Sequence, residues 1–147
     1  MNLESLFVHP GPYPWLTLNN LIETNPRYLE LFGPKFTNEE MNLFIRNWIN
    51  GGNSNLQAVV MRLKLVDTEI IMNGIPAVWR ETEEDLSYEL GEDKTNEPDY
   101  FDYFFEIRNI NGVVASIVAD DGIDKFFFIY VWPDFKGQPY PLEPILQ

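Results

Sequence analysis

Apolar residues recur in two rhythms along the chain, and the change of rhythm divides it. In the first third, Leu3-x-x-Leu6-x-Val8, Pro26-x-x-Leu29-x-Leu31 and Leu56-x-x-Val59-x-Met61 share one spacing, their middle positions 23 and 30 residues apart. Alternation of this kind predicts short strands, because successive strand side chains point to opposite faces. Its recurrence has the form of a leucine-rich repeat, in which a strand and a helix alternate about every 20–29 residues. Three unrelated strands would show the same alternation. The segments after the strands favour the repeat. After the first, Thr17 opens a short run with Leu18, Leu21 and Ile22 that stops at Asn25-Pro26, since the residue before proline is pushed out of the helical region. After the second, Thr37-x-x-Glu40 is a capping box. Met41, Phe44, Ile45, Trp48 and Ile49 then form the apolar stripe of an amphipathic helix that ends at Gly51-Gly52. After the third, Thr68 to Asn73 predicts a short helix, with Gly74 as its stop.

From Phe104 onward the period shortens to that of strands. Phe104–Asn109, Val113–Ala119 and Phe126–Trp132 are rich in β-branched and aromatic residues. Asn111-Gly112 and Asp121-Gly122 separate them and suit tight hairpin turns. The reading is a three-stranded antiparallel meander. Phe126–Trp132 is apolar on both faces and needs cover on both. The tail, with Pro133, Pro139, Pro141 and Pro144, cannot enter a central ladder. The expected architecture is therefore α/β: leucine-rich-repeat-like strand–helix units with parallel strands over 1–75, an acidic connecting segment over 76–103, and the meander with its proline-rich tail over 104–147. Part of the connecting segment, Gly91 to Pro98, reads as an exposed loop.

At 147 residues with 45% hydrophobic side chains, the chain has material for one domain with a real core. Charge narrows the partners. Ten basic residues against 23 acidic give a net charge of −13, which repels nucleic-acid backbones and anionic membranes. No stretch approaches the ~18 consecutive apolar residues of a membrane helix. There is no cysteine, no Asn-x-Ser/Thr sequon and no basic-then-apolar start of the signal-peptide kind. The expectation is an intracellular protein, cytoplasmic or nuclear.

Candidate chemistry is sparse. His9 is the only histidine, so no second imidazole is available for a nucleophilic triad. Asp120-Asp121-Gly122-x-Asp124 departs from calcium-loop spacing and reads as a turn. Gly51-Gly52-Asn53-Ser54-Asn55 comes after a helix and lacks the lysine of a phosphate loop. The carboxylates Glu81, Glu83, Glu84 and Asp85 are sequence neighbours, whereas a hydrolase pair must oppose across a cleft. The expectation is no enzyme, no cofactor and no metal.

Three blocks resemble the nematode F-box-associated domain, type 2. They are Met41-Asn42-Leu43-Phe44-Ile45-Arg46-Asn47-Trp48-Ile49-Asn50-Gly51-Gly52-Asn53-Ser54-Asn55-Leu56, then Phe105-Glu106-Ile107-Arg108-Asn109-Ile110-Asn111-Gly112-Val113-Val114-Ala115-Ser116-Ile117, then Phe127-Phe128-Ile129-Tyr130-Val131-Trp132. They occur in the family's order, and the resemblance as a whole runs roughly from Leu3 to Trp132. The resemblance implies a protein-interaction module, the substrate-recognition region of an F-box protein in a cullin–RING ubiquitin ligase. The F-box docks on the ligase adaptor in such proteins, and this sequence carries no recognisable F-box. Either a fragment or a truncated paralogue fits that departure. The family transfers no catalytic or ligand residues. A different class, an acidic immunity or inhibitor protein that neutralises a basic enzyme, fits the charge alone. The strand alternation turns Phe7, His9, Tyr28, Glu30, Phe32, Val60 and Arg62 away from the inward Leu6, Val8, Leu29, Leu31, Val59 and Met61. The expected partner-binding face joins Phe7, Tyr28, Glu30, Phe32 and Arg62, rimmed by the acidic run from Glu81 to Asp85 with Glu83 and Glu84 in it, and takes a basic protein. The competing expectation is that the acidic segment or the tail covers this face.

Overall fold

The computed structural model describes residues 5–8 (backbone alone), 16–32, 36–89, 98–119, 125–132 and 139–146. In chain order the elements are β1 (Ser5–Val8), α1 (Leu18–Thr24), β2 (Tyr28–Leu31), α2 (Asn38–Ile49), β3 (Ala58–Arg62), α3 (Thr68–Ile71), β4 (Val78–Tyr88), β5 (Asp99–Arg108), β6 (Val114–Ala119) and β7 (Phe126–Trp132). The fold is mixed α/β. The strands form one seven-stranded sheet in the order β1-β2-β3-β7-β6-β5-β4.

β1, β2 and β3 run parallel, with Leu6 opposite Leu29 and Leu29 opposite Val59. Each connection holds a helix, as parallel neighbours require. The leucine-rich-repeat expectation stops there. After α3 the chain does not lay a fourth parallel strand beside β3. It crosses to the far edge as β4 and returns antiparallel through β5 and β6 to β7, which pairs with β3. β7 is thus the central strand. Its position explains why both of its faces are apolar.

Local signals fix the helices. Thr37 caps α2 by accepting from the Glu40 N–H, and the Glu40 carboxylate accepts from the Thr37 N–H at 3.1 Å. α2 buries Met41, Phe44, Ile45 and Trp48 against the sheet. Gly51 comes next at φ +100°, and a Cβ there would meet the Ile110 side chain. The polar residues of the same segment serve backbone groups. Asn42 donates to the carbonyls of Ile70, Ile71 and Asn73, so it caps the end of α3. Asn53 donates to Leu21 O and accepts from Asn47. This asparagine-rich string is therefore a joint between helices and not a ligand loop.

The segment expected to connect, 76–103, contains the eleven-residue strand β4. Its alternating exposed residues include Trp79, Glu81 and Glu83. An edge strand that carries charge protects its open backbone from pairing with other chains; from sequence, that charge resembles a solvated linker. The Asn111-Gly112 turn is a hairpin in which Gly112 alone has positive φ (+84°), and Asn109 Oδ1 accepts from the N–H groups of Asn111 and Val113. The Asp121-Gly122 turn, His9 and the loop over 91–97 lie outside the described residues.

Two cores lie on the two faces of the sheet. One is packed under α1, α2 and α3. The other is closed by the outer halves of β4 and β5 and by the tail. β5 pairs with β6 only from Phe105 to Arg108, so its first half is free to fold over the sheet. Phe101 then stacks on Tyr130 with ring centroids 4.9 Å apart, and the Tyr88 hydroxyl donates to Val131 O at 2.7 Å and Gln57 O at 2.9 Å. The tail is tied down by Glu106, which is fully buried. Its carboxylate accepts from Arg80 Nη1 at 2.7 Å, Tyr140 OH at 2.6 Å, Ile145 N at 2.8 Å and Leu146 N at 2.7 Å. The expectation that the tail stays out of the ladder agrees with this. Its docking onto a buried carboxylate is new.

Candidate partner-binding surface

The predicted face can be followed strand by strand. Tyr28 and Glu30 of β2 and Phe32 just past its end occupy alternate positions, and all three are half-buried. Register places Ala58 beside Tyr28 and Val60 beside Glu30, while Arg62 lies beside Phe126 and is exposed. Phe7 is opposite Glu30 in the backbone register; its side chain lies outside the described residues. Glu83 and Glu84 are exposed on β4. They sit in a bulge between Glu81 and Leu86, where Thr82 Oγ1 donates to Glu84 O at 2.7 Å.

A line of rings runs across this face. Phe32 meets Phe126 edge-on at 5.8 Å, and Phe126 is 5.8 Å from Phe128. Phe128 lies almost parallel to Tyr130, and Tyr130 to Phe101, with interplanar angles of 10° and 4°. The line leads from the predicted group into a cleft of about 390 Å³ between the overfolded β4–β5 pair and strands β6 and β7. Phe101, Phe128 and Tyr130 form its inner wall, with Val118. Asp85, Asp99 and Asp102 also line it. At its mouth Tyr100 is 63% exposed and Tyr103 36%.

Asp99 orders the inner end. Its Oδ2 accepts from the Tyr130 hydroxyl at 2.7 Å. Burial pushes the Tyr130 phenol far above its ordinary value, and the hydrogen bond to Asp99 and its charge push it further. Tyr28 rises to about 12, through burial first and then the charges of Glu30 and Asp99. Both phenols therefore stay protonated near neutral pH and act as neutral donors. Among the described residues no ion pair neutralises Asp85, Asp99 or Asp102.

The strand alternation places Tyr28, Glu30 and Phe32 together, as the structure does, but it misses the cleft at the end of the aromatic line. Of the predicted acidic rim, Asp85 is the residue that reaches the cleft; it lies in the bulge between Glu81 and Leu86. The doubled Asp-Tyr-Phe at 99–101 and 102–104 was the available signal. Cover over the face is partial: β4, β5 and the tail bury its far half while β2 stays half-open. Among the described residues no group of three or more His, Cys, Asp or Glu is placed to hold a metal ion, and no helix is long and apolar enough to cross a membrane.

Residues 1–61 match the family model described as F-box associated. A relative from Caenorhabditis elegans, the Skn-1 dependent zygotic transcript 15 protein, is 32% identical over 104 residues. Over this N-terminal stretch the chain is similar to the F-box associated family. The match to the relative covers 70% of this chain and 28% of the relative, so the chain spans little more than a quarter of that protein. No solved structure matches the chain. F-box associated domains are recognition and adaptor domains that bind partner proteins, and theirs is not a known enzyme family. The matched stretch contains α1, α2, β1, β2 and most of β3, including Tyr28 and Glu30 of β2 and Phe32 just past its end.

Proposed function

We propose that this chain is the substrate-recognition domain of an F-box protein, acting inside the cell as one domain over 1–147. In that reading it holds a protein substrate while an F-box elsewhere in the full protein docks on the adaptor of a cullin–RING ubiquitin ligase. The observation that carries the reading is the F-box associated match over the segment that builds the half-open face of β2. Tyr100 and Tyr103, exposed at the mouth of the acidic cleft, support it, because exposed aromatics anchor protein interfaces. The net charge of −13 favours basic partners through steering and complementarity. The same charge is all that favours an acidic inhibitor of a basic enzyme.

The test is affinity purification of the tagged full-length nematode protein that contains this domain, with identification of the captured proteins by mass spectrometry. Adaptor and cullin should co-purify together with one or more further proteins that accumulate when the ligase is blocked. Capture of a single basic enzyme, inhibited and without adaptor or cullin, would establish the inhibitor reading instead.

A further inference from the structure

We propose that the cleft between the β4–β5 overfold and strands β6 and β7 seats a lysine or arginine side chain from an exposed basic segment of the bound protein. The inference rests on the protein-recognition reading and names its pocket and chemistry.

Three independent features select a cation. The first is the wall. Tyr100 and Tyr103 stand exposed at the mouth and Phe128 is half-buried in the wall, while Phe101 and Tyr130 are stacked on one another and buried. Aromatic faces carry negative quadrupole density and attract a guanidinium or ammonium group within about 6 Å. The second is charge. Two strands deliver Asp85, Asp99 and Asp102 to one concave site, and no described basic side chain neutralises them. A cation entering from outside is attracted by these acidic groups together. The third is shape. The cleft lies at the end of the ring line that starts at Phe32 and passes through Phe126 and Phe128, so a long flexible side chain enters it from that direction. The apolar stem of lysine or arginine packs on rings while its head meets carboxylates. A phosphate or carboxylate ligand is repelled by the same groups. A bare metal ion lacks a ligand cluster among the described residues.

The experiment uses the 147-residue chain and four probes: short blocked Gly/Ser peptides carrying one arginine, one lysine or one citrulline, and free spermidine. Backbone amide shifts are tracked by NMR. The arginine and lysine peptides should shift Asp85, Tyr100, Asp102 and Val118 saturably, while amides of α2 stay still. The citrulline peptide, isosteric with arginine but uncharged, should bind at least about tenfold more weakly. Asp85→Asn with Asp102→Asn should weaken the arginine peptide by a similar factor, with the thermal melt unchanged since both side chains are exposed. Tyr100→Ala, also at an exposed position, provides a second variant. Equal binding of citrulline, shifts confined to other surfaces, or undiminished binding by both variants would overturn the proposal. Spermidine binding at the cleft with neither peptide doing so would overturn the partner side chain in favour of a free polyamine. These results concern the pocket alone. Capture of adaptor and substrate by the full-length protein tests the recognition reading separately.

Discussion

Trp48 and Glu106 carry the two kinds of burial on which the molecule depends. Trp48 lies between α2 and the sheet at 2% exposure, as its place on the apolar stripe implies. Trp48→Ala should cost about 3–5 kcal/mol in denaturant melts, the usual range for removing a large aromatic from a core. A change below about 1 kcal/mol would contradict its packing role. Glu106 was not legible in the sequence, because one glutamate inside an aromatic strand looks like the solvent side of a hairpin. Its meaning depends on Arg80 and on a tail 39 and 40 residues away. Burial alone raises its pKa, but the Leu146 N–H, the Tyr140 hydroxyl, Arg80 and the Ile145 N–H together hold it below the ordinary 4.5. The folded state thus favours the ionised form, and that contribution is present above pH 4.5 and is lost as pH falls through the lowered value. Glu106→Gln turns one of the two acceptor oxygens, which together take donors from Arg80, Tyr140, Ile145 and Leu146, into a donor. It should cost about 1–3 kcal/mol and free the tail, seen as faster amide exchange at Ile145 and Leu146. The gap between wild type and variant in urea melts should narrow below pH 4.5. A gap that widens in acid would contradict the assignment.

Among the elements, α2 was legible almost residue by residue. Capping, stripe and glycine stop are all local, and local signals survive in any tertiary context. Thr37→Ala removes one end of the reciprocal cap and should cost about 1 kcal/mol, with the loss of helical signal confined to the first turn of α2. The meander strands were also legible, since hairpins pair sequence neighbours. β4 was not. Its exposed charges protect an edge, and the four residues of its bulge break the alternation that would have marked a strand. The cleft was hidden for the same reason. It exists only because β5 outruns its pairing with β6 and folds back over β7, and no short-range pattern encodes that length mismatch. Deleting Thr82 to Asp85 should straighten the hairpin and expose Tyr88 and Phe101, detected as a rise in binding of a hydrophobic dye.

At the scale of the whole molecule, a parallel half and an antiparallel half share one sheet through the β3–β7 pairing. The two halves were visible separately, from periodicity, but their union was not, because β3 and β7 are far apart in the chain. That union brings a face started by β2 to the aromatic rings of β7 and the carboxylates of β4 and β5. Recognition of a protein by this combined face is open to a direct measurement: quantitative affinity-purification mass spectrometry of the full-length protein. Wild type is compared with a variant carrying Tyr28→Ala, Asp85→Asn, Tyr100→Ala and Asp102→Asn and shown by its melt to be folded. Adaptor and cullin should be retained at wild-type levels while the remaining captured proteins fall at least tenfold, by about 1.4 kcal/mol or more. Full retention of those proteins by the folded variant would contradict recognition through this face.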